Sequence, residues 1–276
     1  MQRMTMVLVL MFLAAMAAAE VNDVNANSGL VKVPDTYVLI VSGINKDPEE
    51  QQSKDRAVIK LRKFFEKNKK VQSGWLKVMV CESSFAKKGS EISTAANIEK
   101  MLSSFAKQVG ESDRFIFYYV GQANVVVDKL RINLPGSDIT SEELGGWIKQ
   151  IKASSVLVVL DCPGAGMAIK HLNGPGRIIV CGSRSDQLYS TRFSDYFVPA
   201  IDNITSDTDG DLRVSLLEAF TSASMQIDDL YREGDLLKTE TPILEDNGDG
   251  VPSQQPWRYE KDKNDGAAAS KFFFSE

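Results

Sequence analysis

Val156–Leu160 is an unbroken run of valine and leucine that stops at Asp161 and passes through Gly164 and Gly166 into a helix-like stretch ending at Leu172. Such a run, bounded by turn residues, fits a strand buried on both faces of a parallel sheet. Loops converge at the carboxyl ends of such strands and carry the ligand site in open α/β sheets. The turn after Asp161 is therefore where function is expected. Other segments repeat the pattern, with Thr36–Ser42, Trp75–Cys81, Arg114–Val120 and Arg177–Cys181 reading as further strands. Apolar residues at helical spacing mark Pro48–Asn68, Ser93–Val109 and Ser141–Ile151, then a short helix at Phe193–Ile201 and a long one from Val214 to about Arg232. Strands alternating with helices argue for βαβ units and a parallel sheet.

The ends of the chain read differently. Arg3 precedes an apolar run from Val7 to Ala15, and Ala17-Ala18-Ala19 closes it in the small-residue pattern of a signal-peptidase site. The run is shorter than the ~20 apolar residues of a membrane span. Residues 1–19 are thus expected to be an export signal, 20–35 a polar, Asn-rich, disordered lead-in, 36–260 the folded domain and 261–276 a loosely held tail. After signal cleavage the protein is expected to be periplasmic or extracellular, without a membrane segment. A formal charge of −5 and the lack of a basic patch argue against a nucleic-acid footprint. Cys81, Cys162 and Cys181 are an odd number for an exported chain and show no CxxC. They read as small buried hydrophobes near strand ends. The glycines of Gly164-x-Gly166 are part of a dinucleotide fingerprint, but its third glycine position is Ile169, and no phosphate-binding GxxxxGK[ST] is present.

Six segments together carry a specific resemblance: DRFIFYYVGQA (113–123), LPGSDITSEEL (134–144), VLVVLDCPGAG (156–166), GRIIVCGS (176–183), TRFSDYFVPAI (191–201) and TPILEDNGDG (241–250). Their order resembles that of the caspase-like (clan CD) cysteine peptidases of the legumain-related type, over Thr36 to about Phe274. The resemblance implies an α/β three-layer sandwich, a mostly parallel central sheet flanked by helices. It also implies a histidine in a Gly-His-Gly turn after the third strand and a nucleophilic cysteine in an Asp-Ser/Ala-Cys-x-Ser-Gly turn after the fourth.

The departures fall on those two positions. The histidine position is Gln122 and the nucleophile position is Pro163, with Cys162 one residue early. Gln122 takes no proton at working pH and Pro163 has no reactive atom. A thiol of ordinary pKa, ~8.5, is mostly protonated at neutral pH and needs a base or cation to activate it. The one histidine, His171, lies nine residues further on, ~13 Å along a helix. A one-residue shift at a strand end also turns a side chain to the other face. The expectation is a peptidase homologue without its dyad that holds a peptide or protein ligand, with an endopeptidase acting through Cys162 as the alternative.

A third reading comes from DTDGDLRVSLLE, residues 207–218. Calcium loops of twelve residues place oxygen ligands at positions one, three, five, seven, nine and twelve. Those positions are Asp207, Asp209, Asp211, the Arg213 carbonyl, Ser215 and Glu218. The sixth position, glycine in such loops, is Leu212, and a left-handed conformation there costs ~1–2 kcal/mol. A calcium-stabilised structural module is the further alternative. Glu245–Gly250 is a second oxygen-rich turn, of the Asn-Gly and Asp-Gly type that also serves as a plain turn.

Overall fold

A computed structural model describes residues 34–69, 71–72, 74–82, 90–258 and 264–274. The expected signal segment and residues 20–33 of the lead-in lie outside these. Among the described residues, no helix is long and apolar enough to cross a membrane.

The fold is α/β. Five parallel strands make the body of the central sheet: β1 (Thr36–Ser42), β2 (Leu76–Val80), β4 (Arg114–Val120), β8 (Ser155–Asp161) and β9 (Arg177–Cys181). The two-residue β3 (Glu91–Ile92) flanks β2, and β10 (Ile243–Glu245) lies antiparallel to β9 at the other edge. The order is β10-β9-β8-β4-β1-β2-β3. The sheet is thus mixed and mostly parallel. The side of β10 away from β9 is occupied by the chain itself, because Leu244 exchanges backbone hydrogen bonds of 2.9 and 2.8 Å with Ser253.

Alternation along each strand divides the core between two faces. One face of the sheet, with Val38, Ile40, Ile116, Tyr118, Leu157 and Val159, packs with α1 (Pro48–Lys67), α5 (Phe193–Ala200) and α6 (Leu216–Glu233). The other, with Leu39, Phe117, Tyr119, Val158 and Leu160, packs with α2 (Ala95–Gln108), α3 (Ser141–Ile148) and α4 (Ile169–Leu172). Helices on both faces make three layers.

Local chemistry sets the helix starts. Asp47 caps α1 by accepting from the Glu49 and Glu50 amides at 2.8 and 3.1 Å. α3 starts at Ser141, as expected, and Thr140 caps it, because Thr140 and Glu143 form a reciprocal capping box. Between β4 and α3 the chain makes a small antiparallel sheet absent from the sequence reading: β5 (Ala123–Val126), β6 (Lys129–Ile132) and β7 (Ile139–Thr140), in that order.

The C-terminus also departs from expectation. Residues 264–274 are part of the body: Phe272 and Phe274 are buried, Phe274 packs edge-on against Phe64, and the Leu216 amide donates to the Phe272 carbonyl. Three adjacent phenylalanines bury too much apolar surface to be left in water. Trp257 packs against Phe220.

Candidate functional site

The carboxyl ends of β1, β4, β8 and β9 meet in one set of turns. The Gly43 amide donates to the Val120 carbonyl (2.9 Å), Gly121 to Asp161 (3.1 Å) and Gly182 to Leu160 (2.9 Å). Val120 and Asp161 are register partners in β4 and β8. Gln122 and Pro163 each follow their strand's last paired residue by two, so the two positions sit at neighbouring strand ends.

Tyr119 fixes the first turn. Its buried hydroxyl donates to the carbonyls of Gln122 (2.7 Å) and Asn133 (3.2 Å). A Cβ on Gly43 would lie 2.0 Å from that hydroxyl, and one on Gly121 would lie 2.7 Å from the Gly43 Cα. Only glycine fits where the two backbones cross. Gln122 is half-buried, and its Oε1 is enclosed without a hydrogen-bond partner.

The second turn has no accessible nucleophile. Pro163 is buried, and the Cys162 side chain is fully buried in the apolar cluster that holds Leu160 and Ile169. Burial first, then Cys181 and Asp161, push the Cys162 thiol well above the usual range. Cys81 and Cys181 are likewise buried and free, with thiols pushed up mainly by burial. His171 is elsewhere. Its Nδ1 lies 2.9 Å from the buried Ser141 Oγ at the start of α3, and partial burial lowers its pKa. His171 is therefore a half-buried partner of Ser141.

Behind the turn lies a buried charged network that sequence reasoning missed. Asp161 is fully buried. Its carboxylate is 3.3 Å from Lys54 Nζ, accepts the Ser194 amide at 3.0 Å, and accepts the Thr191 hydroxyl. Burial acts to raise its pKa, but Lys54 and these hydrogen bonds outweigh burial and leave it below the usual range. Lys54 also donates to the Thr191 carbonyl. Nearby Glu240, also fully buried, accepts from the Arg192 amide (2.7 Å) and the Tyr231 hydroxyl (3.2 Å). Burial above all, with Asp161 adding to it, raises Glu240 to about 7. The signal was present in the sequence: Lys54 occupies the apolar stripe of α1, four residues before Val58 and seven before Leu61.

In the acidic loop, Asp207, Asp209 and Asp211 bring one oxygen each to within 4.8 Å of one another, and this group can hold a metal ion. Leu212 has φ +65°, the left-handed conformation expected of the sixth position, with its side chain 81% exposed. Glu218 and Ser215 are placed differently from the expected ligand set. They form the capping box of α6, and the Glu218 carboxylate accepts from the Thr208 amide (2.7 Å), the Ser215 amide (2.9 Å) and the Ser215 hydroxyl (2.9 Å). Those donors hold its pKa down against burial. Glu218 thus ties the loop to the helix. The Arg213 side chain pairs with Asp211 at 3.0 Å and lies over the Phe273 ring, 3.8 Å from its centroid.

No protein-family model matches the chain, and no curated protein does. Among solved structures the chain is similar to Raptor from Chaetomium thermophilum, at 10% identity and a TM-score of 0.41, over 62% of this chain. It spans 18% of the Raptor chain.

Proposed function

We propose that this is an exported, caspase-like (clan CD, legumain-related) protein that lacks a peptidase dyad and serves in recognition of a peptide or protein. One observation carries the reading. The two positions where the resemblance expects histidine and cysteine fall at neighbouring strand ends, yet they hold Gln122 and Pro163, and the thiol beside them is enclosed. A buried, protonated thiol without a base has no route to a thiolate nucleophile. Recognition has a physical basis in β5, which among the described residues pairs with β6 alone. Its free side offers backbone groups that an extended peptide can take up by strand addition.

The test uses fluorogenic peptides ending in Asn, Asp, Arg or Lys. Turnover equal to that of Cys162→Ala is expected, together with saturable peptide binding. Turnover lost in Cys162→Ala establishes an endopeptidase instead, and neither binding nor turnover removes the recognition role.

The ion this reading assigns to the loop is calcium. The three aspartates supply hard, anionic oxygens, and an extracellular setting supplies millimolar calcium, enough for a site weakened by Leu212. Calcium is expected to raise the melting temperature of the wild type more than that of Asp209→Ala. Equal shifts in the two proteins count against this loop.

A further inference from the structure

Asn203-Ile204-Thr205 follows α5, and Asn203 is the one asparagine of the chain with a serine or threonine two residues on. An asparagine in that spacing, with any residue but proline between, is the acceptor pattern for an N-linked glycan in exported proteins. Three residues in such a pattern also arise by chance, so what matters is whether the fold leaves room there for a bulky, hydrated chain.

Asn203, Ile204 and Thr205 are all exposed, Ile204 at 57%, whereas Ile201 and Ser206 on either side are buried. The turn stands out from the body while its base is held, because the Ser206 amide donates to the Asn203 carbonyl at 2.9 Å. The Asn203 amide group is turned to suit. Its Oδ1 accepts from the Thr205 backbone amide at 3.1 Å, so the oxygen is engaged with the chain. Nδ2, the atom that takes the sugar, has no hydrogen-bond partner among the described residues.

The turn is also remote from the strand ends that carry Gln122 and Pro163. α5 begins at the carboxyl end of β8, where the Ser194 amide meets Asp161, and Asn203 lies beyond the other end of that helix. The loop that follows reaches the amino end of the sheet. There Arg213 covers the Phe273 ring, and the Phe273 carbonyl accepts from Arg114, the first residue of β4. A glycan on Asn203 therefore leaves the opposite end of the sheet open.

We propose that Asn203 carries an N-linked oligosaccharide, an inference that rests on the reading of the chain as exported. The donor is an oligosaccharide joined to a lipid pyrophosphate. Nδ2 loses one proton and bonds to the anomeric carbon, the carbon–oxygen bond to the pyrophosphate breaks, and the lipid pyrophosphate leaves with that electron pair. Nothing is oxidised or reduced. Thr205 is the residue that the transferase reads beside the acceptor.

The experiment produces the full chain in cultured eukaryotic cells in two forms. One keeps its own residues 1–19, and the other has them replaced by the cleavable signal of a secreted serum protein. Protein is collected from cells and medium together, so that a variant retained by misfolding is still read. In the second form a single mass increment is expected, which peptide:N-glycosidase removes to leave an aspartate at position 203 in the peptide mass spectrum. Asn203→Gln and Thr205→Ala each abolish the increment, and Thr205→Ser keeps it. A second form without the increment overturns the site, as does an increment that survives Asn203→Gln. The first form separates this inference from the one beneath it. If it reaches the medium bare, the site fails with export intact; if it stays unmodified in the cytosol while the second form is glycosylated, export is what fails and Asn203 stands as a competent acceptor.

Discussion

Lys54 and Asp161 show at the scale of single residues how charge is held inside this protein. The pair is almost wholly buried, so removing one partner strands the other in an apolar setting. Lys54→Met is expected to lower the free energy of unfolding by about 3–5 kcal/mol in urea titrations. The double change with Asp161→Asn should recover much of that loss, and a double variant no more stable than the single one would refute the coupling. Glu240 adds a pH dependence of definite sign. Its folded pKa of about 7 exceeds the ordinary carboxylate value of 4.5. Its contribution is therefore complete below pH 4.5 and is lost as pH rises through 7, on the order of 2–3 kcal/mol in all. Asp161 and Glu218 act in the opposite sense: their lowered values give stability that is lost as pH falls. Chemical denaturation across pH should thus give a maximum on the acid side of neutrality, and Glu240→Gln should flatten its alkaline limb.

At the scale of elements, what the sequence disclosed depended on the length of the signal. The unbroken run Val156–Leu160 and the stripe Val58, Leu61, Phe65 are long enough to fix strand and helix without knowledge of their neighbours. β5, β6 and β10 have three or four residues each and owe their conformation to pairing partners that no local window contains. The same division applies to the site. The turns that carry Gln122 and Pro163 were legible because strand ends mark themselves with glycine, and the resemblance singled out those two positions, whereas the Lys54–Asp161–Glu240 network joins residues distant in the chain. Asp207, Asp209 and Asp211 gather as their spacing suggested, and Glu218 is diverted because capping offered it nearer donors. Leu212 tests that loop directly. Leu212→Gly relieves a left-handed leucine but loosens the unfolded chain, for a net gain of up to about 1 kcal/mol. A loss of stability would mean that the exposed leucine makes contacts that outweigh its strain.

For the whole molecule, the last described residues matter out of proportion to their number. Phe272 and Phe274 join the face formed by α1, α5 and α6, and Arg114 Nη1 donates to the Phe273 carbonyl at 2.9 Å. Phe274→Ala is expected to cost about 3–4 kcal/mol. Truncation before residue 264 should broaden or abolish the cooperative transition seen by circular dichroism. A truncated chain that melts as sharply as the full one would show that this segment is an accessory.

A strand end that meets its own returning backbone has nothing left to offer a neighbour. Because Leu244 is already satisfied by Ser253, a second molecule has no ladder to extend along that flank, and stacking of copies β10 to β10 is closed off. Light scattering should return the same mass from dilute to concentrated solution for the wild type. Freeing the flank with Ser253→Pro, which deletes one of the two bonds, is the change that should let larger species accumulate.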